Sequence, residues 1–104
     1  MTDFKIVLNK ENPSFMTSKL MGVLSAVITT TNQKTSILIE SELGYIIYSD
    51  EVVGTKIAGP RLLTHTYPLY GVEAPSHDRF KIDESLIITT IGATEDVEII
   101  LRFL

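Results

Sequence analysis

The sequence has no cysteine. That removes disulfides, thiolate nucleophiles and cysteine-based zinc or iron–sulfur sites, and it suits a reducing compartment. Clustered basic charge is also missing. Nine Lys and Arg are scattered among thirteen Asp and Glu, for a net charge of −4. Nucleic-acid binding draws on counterion release by grouped cations, so no nucleic-acid partner is expected. The acids are scattered too, without the density of a nucleic-acid mimic.

No long apolar run is present. The longest, around Met21 to Ile28, is broken by Gly22 and Ser25 and falls far short of the ~20 residues of a membrane span. The opening residues Met1-Thr2-Asp3-Phe4-Lys5 lack a basic stretch followed by an apolar one. The expectation is a soluble, cytoplasmic chain with no signal peptide and no membrane partner. Glycines at 22, 44, 54, 59, 71 and 92 form neither GxGxxG nor GxxxxGK[ST], so no phosphate-cradling loop of those kinds is expected. The serines at 14, 18 and 25 sit in no strand–turn–helix elbow, which argues against a serine nucleophile. The two histidines lie twelve positions apart with no tight ligand spacing around them, so no metal and no cofactor are expected.

What is present fits a folded globule. The chain has 104 residues, 44% hydrophobic and 21% charged. It reads as a single domain over 1–104, long enough for a core without staples. Mean hydropathy is positive for a chain with much surface and few charges to cover it. Some apolar surface is then shared with another copy, and a homo-oligomer is expected.

Phe4, Ile6 and Leu8 alternate along 3–9, which predicts a strand. Asn12-Pro13-Ser14 reads as a helix start, and apolar residues at 16, 20, 23, 24, 27 and 28 follow one helical face. The spacing predicts a helix over 14–28, with a threonine-rich exit at 29–33. Gly22 would allow it to approach the sheet closely. Ser36 to Glu40 and Tyr45 to Ser49 read as a hairpin, and Val52 to Ala58 as a strand bent at Gly54. Leu86 to Ile91 is a strand, and Gly92-Ala93 a turn. Along 96–104, alternation and β-branching favour a strand over the capped helix that Thr94-Glu95-Asp96 suggests.

The expected fold is therefore α+β: a mostly antiparallel five- to six-stranded sheet with one main helix packed on one face.

The irregular segment 59–80 holds the densest reactive side chains: Arg61, His65, Tyr67, Tyr70, His77, Asp78 and Arg79. A His beside an Asp suits general-base work, and an Arg suits anion binding. Tyrosines flanking Pro68 suit a contact surface, as they also suit the rim of a core. Two readings follow. The first is a homo-oligomeric binding or assembly module recognising a protein or small ligand through 59–80. The alternative is a small hydrolase or transferase with a His/Asp/Arg site in the same segment.

The order strand, helix, strands, with Ile88-Thr89-Thr90-Ile91-Gly92-Ala93 before the last strand, resembles a little the type-2 peptidyl-tRNA hydrolase fold. Lys19 and Thr90 are the nearest matches to its motif positions. The glycine–lysine run before the helix is absent, Ala93 stands where that family has proline, and there is no room for its middle helices. Membership is not assigned.

Overall fold

The computed structural model describes residues 2–44, 46–59 and 80–104. Every regular element among them is a strand: β1 (Thr2–Leu8), β2 (Ser14–Met16), β3 (Leu20–Ser41), β4 (Ile46–Ala58), β5 (Phe80–Glu84), β6 (Leu86–Ile91) and β7 (Val97–Phe103). The α+β expectation is corrected to an all-β fold, a curled antiparallel sheet shaped as a half-barrel.

The residues predicted to form the helix build β2 and the first half of β3 instead. The reason is a β-bulge. Opposite β7, Leu24 pairs with Phe103 while Ala26 pairs with Arg102, so one residue is inserted near Ser25. Leu24 and Val27 are consequently both fully buried, three positions apart. A bulge that resets a period of two produces the three-residue step of a helical face. Asn12 and Pro13 serve the sheet as well. The backbone N–H groups of Glu11 and Asn12 donate to Asn9 Oδ1, closing a turn after β1. The Pro13 carbonyl accepts from Thr90 N at 2.8 Å. Pro13 precedes an outer strand, where a missing N–H is tolerated. Gly22 has φ of 150°, and the Phe103 ring comes within 3.1 Å of where its Cβ would stand. Its smallness admits an aromatic ring, not a helix.

The sheet has seven strands where five or six were expected, and the runs expected as separate strands over 45–49 and 52–58 form the single strand β4; the other strand expectations hold. They correspond to β1, the β3–β4 hairpin, the bend at Gly54 (φ 71°), β6 and β7.

β3 is the axis of the sheet. One of its edges pairs with β7 over Leu24–Thr30 and with β6 over Ser36–Ser41. The other pairs with β5 over Leu20–Leu24 and with β4 over Val27–Glu40. β1 lies outside β7, and β2 outside β6. The result is two limbs, joined by the continuous β3–β4 ribbon. The first contains β1, β7, the first half of β3, the end of β4 and β5. The second contains β2, β6, the last part of β3 and the start of β4.

Twenty-two extended residues would span roughly 70 Å, yet the longest dimension of the molecule is 36 Å. β3 must therefore bend. It does so at 31–35, where β3 advances four positions while β4 moves back two. The Thr31 and Thr35 hydroxyls both donate to the Gln33 carbonyl, at 2.8 and 2.9 Å, and fix the corner. The curl closes at a seam. β5 ends opposite Leu20 and β6 begins opposite Ser41, with Ser85 alone between them, so the two ends of β3 come back to the same place. There Thr17 N donates to the Leu86 carbonyl at 2.9 Å, and Leu86 N donates to the buried Thr17 hydroxyl at 3.0 Å.

The core fills the inside of the curl. Val97, Ile99, Leu101 and Phe103 of β7 face it, as do Ile37 and Ile39 of β3, Ile47 and Val52 of β4, and Leu86 and Ile88 of β6. Alternation decides the opposite face: Glu98, Ile100 and Arg102 point outward from β7.

Candidate functional site

Arg61, His65, Tyr67, Tyr70, His77, Asp78 and Arg79 all lie outside the described residues, as does Tyr45. The hydrolase or transferase reading draws its groups from that same segment. Its two attachment points are described. Ala58 pairs with Val27 and Phe80 with Leu24. β7 occupies the other side of both Leu24 and Val27, so β4 and β5 lie on one edge of β3. The chain between them leaves and rejoins that edge three positions apart, about 10 Å along a strand.

Two constellations in the described residues escaped the sequence reading. The first lies inside the corner of β4. Tyr48 is buried, and its hydroxyl donates to Asp50 Oδ2 at 3.2 Å. Lys56 Nζ bonds the same oxygen, and Glu51 N donates to Asp50 Oδ1 at 2.8 Å. The Lys56 hydrogen bond is the main reason the Asp50 carboxyl is held below its usual range, against the opposing effect of burial. Burial, and then the Asp50 charge, push the Tyr48 phenol up to about 12. Such a phenol stays protonated and serves as a fixed donor. Thr29 pairs with Lys56 in register, and its Oγ1 is the one buried side-chain polar atom among the described residues without a hydrogen-bond partner. Charged side chains turned inward on an outer strand also discourage a further strand from adding there.

The second constellation is the outer face of the first limb. Lys5 pairs with Ile100, Ile100 with Ile28, and Ile28 with Ile57, so three isoleucines stand abreast across β7, β3 and β4. Ile57 is 63% exposed, and Ile28 and Ile100 are half-buried. Ion pairs frame the row. Arg102 meets Asp3 through two bonds of 3.0 Å, and Lys5 Nζ lies 3.2 Å from Glu98. The frame carries two positive and two negative groups, so this face is neutral on a chain of net charge −4. The signal was available in Val97 to Phe103, where alternation leaves Ile100 outward between Glu98 and Arg102.

The hollows described among these residues are small. One of about 220 Å³ is lined by Val7, Thr30, Thr31, Asn32, Asp96 and Glu98. Another of about 180 Å³ lies beside Phe4, Leu20 and Phe103. Both fall below the ~300 Å³ at which small-molecule sites begin. No group of three or more His, Asp or Glu suited to a metal occurs among the described residues. No helix there is long and apolar enough to cross a membrane.

No protein-family model matches the chain, and no curated protein matches it. The faint resemblance to type-2 peptidyl-tRNA hydrolases loses its basis with the helix. Lys19 sits on the surface 3.4 Å from Asp83, and Thr90 is buried with its hydroxyl donating to the Pro13 carbonyl.

Proposed function

We propose that this chain is an assembly module that works by self-association, with residues 59–80 as an appended recognition segment for a protein or small ligand. The observation that carries the reading is the neutral, isoleucine-centred outer face of the first limb. Monomeric proteins seldom leave a contiguous apolar patch open across adjacent strands, and such patches mark contact surfaces. A neutral patch is also where two copies of an acidic chain approach with least repulsion.

The recognition role of 59–80 rests on the attachment geometry. Its described anchors, Ala58 and Phe80, pair with Val27 and Leu24 on one edge of β3, and segments anchored on a rigid scaffold are the usual carriers of binding residues. A cytoplasmic location belongs to the proposal, since a cysteine-free chain is indifferent to a reducing compartment.

Sedimentation velocity on the whole chain tests the reading. A defined oligomer whose population rises with protein concentration supports it. A single monomeric boundary up to about 500 µM, where even weak specific contacts are populated, refutes it.

A further inference from the structure

From this face we infer the form of the assembly: a two-fold dimer in which the outer face of the first limb packs on the same face of a second copy, with the isoleucine row lying along the symmetry axis. The inference rests on the association reading above and deepens it.

The argument is one of charge and register. The row Ile100–Ile28–Ile57 runs across the strands. A two-fold axis placed along it keeps each strand over its own copy and reverses its direction. Ile100, Ile28 and Ile57 then each stack on the same residue of the second copy, which gives an isologous contact without an unmatched apolar position. The outward residues of β7 on either side of Ile100 are Arg102 and Glu98. Reversing the strand sets Arg102 over Glu98 of the second copy, and Glu98 over Arg102 of the second copy. The order positive, apolar, negative along one strand is complementary to itself under this operation alone. Packed sheets sit ~10 Å apart, a gap that Arg and Glu side chains bridge from opposite sides.

The same operation sets Lys5, at the end of the row on β1, over Lys5 of the second copy, a like-charge contact that the Glu98 paired with each ammonium offsets. Lys5 continues the row on β1, where it is largely exposed and held by Glu98 of its own chain. Its aliphatic stem covers the end of the isoleucine row while the ammonium stays in solvent. Asp3, the cross-strand neighbour of Arg102 on β1, holds its guanidinium through both bonds.

Four strands at ~4.8 Å spacing give a contact about 19 Å wide, which is at the small end for stable interfaces. The expected dissociation constant is therefore on the order of 10 µM.

A charge-swap cycle tests the arrangement, read by sedimentation velocity over about 5–500 µM with circular dichroism as a check on folding. Glu98→Arg places like charges at both symmetric contacts, and so does Arg102→Glu. Each single substitution should raise the dissociation constant at least about tenfold, and the double substitution should return it to within about threefold of the original. Glu98→Arg loses the Lys5 pair within the chain, Arg102→Glu loses the Asp3 pair, and the double loses both, so only a contact between copies predicts rescue. Ile57→Lys, at an exposed position, should abolish the dimer without affecting the fold, and it keeps the test decisive if a charge variant folds poorly. An oligomer unchanged by the singles and by Ile57→Lys would place the contact elsewhere, overturning this arrangement while leaving self-association intact. Weakening by both singles without rescue in the double would overturn the antiparallel β7 match. A monomeric wild-type chain would overturn both.

Discussion

Asp50 and Lys56 meet across the inside of a corner, Asp50 opposite Ile37 on the second limb and Lys56 opposite Thr29 on the first. Six positions apart on one strand, they are brought together because β4 bends at Gly54 between them. The pair is a brace on the angle between the limbs. Asp50→Asn should lower stability by about 1–2 kcal/mol, because it weakens the brace and leaves the buried Tyr48 hydroxyl a poorer acceptor. The side chains of Asp50 and Lys56 are 33% and 40% exposed, which keeps the figure modest. Urea unfolding of the two proteins measures it.

The same carboxyl gives an acid dependence. Its folded value lies below the ordinary 3.8, so the unfolded chain binds its proton first as pH falls. The stabilisation is complete above about pH 4 and fades as pH drops through the lower, folded value. Asp3, held down mainly by its bond to Arg102, acts in the same direction. Melting temperature followed from pH 5 to pH 2 should fall less steeply in Asp50→Asn than in the parent.

At alkaline pH the sign reverses. Tyr48 retains its proton in the fold up to about 12, against 10.0 for an ordinary phenol. Between these values the unfolded chain has lost the proton and the folded chain has not, so stability should decline steadily from pH 10 upward. Tyr48→Phe should remove that slope, and a phenolate absorbance titration of the parent should show a component near 12 that the variant lacks.

Gly22→Ala should destabilise by about 1–3 kcal/mol. The new Cβ would stand 3.1 Å from Phe103 Cδ2, on a backbone with φ of 150° that side chains disfavour. Pairing it with Phe103→Leu relieves the crowding but not the backbone strain. The double variant should therefore recover only part of the loss in a thermal melt.

Thr17→Val should weaken the seam that closes the curl. The Thr17 hydroxyl accepts from Leu86 N and donates to the Ser18 carbonyl at 2.7 Å. A methyl in its place leaves both backbone groups unpaired near a fully buried Leu86, at a cost of about 1–3 kcal/mol. Amide exchange should accelerate first at Leu86, before any global loss of protection.

How far the sequence led can be judged residue by residue. β6 and β7 were legible because Leu86, Ile88 and Thr90, like Val97, Ile99, Leu101 and Phe103, keep an unbroken period of two. The first half of β3 was misread because the bulge near Ser25 shifts that period once, between Leu24 and Val27. Local spacing then favours a helix, and only long-range pairing with β7 and β4 decides otherwise. Of the isoleucine row only the outward place of Ile100 was legible, for a related reason. Residues 28, 57 and 100 are far apart in sequence, and register alone places them side by side. The segment singled out for its histidines and arginines lies outside the described residues, so its chemistry stands as read from the sequence.

The two attachment points beside Val27 and Leu24 have one more consequence. A stretch of chain that begins and ends at neighbouring sites on one sheet edge behaves as a cassette. For a flexible loop closed at two such points, length enters the folding free energy only through the logarithm of loop size, about 0.6 kcal/mol per doubling. The described ladder of β3 is set by β4, β5, β6 and β7. Under the proposed function, one scaffold can thereby carry different cassettes on the same sheet.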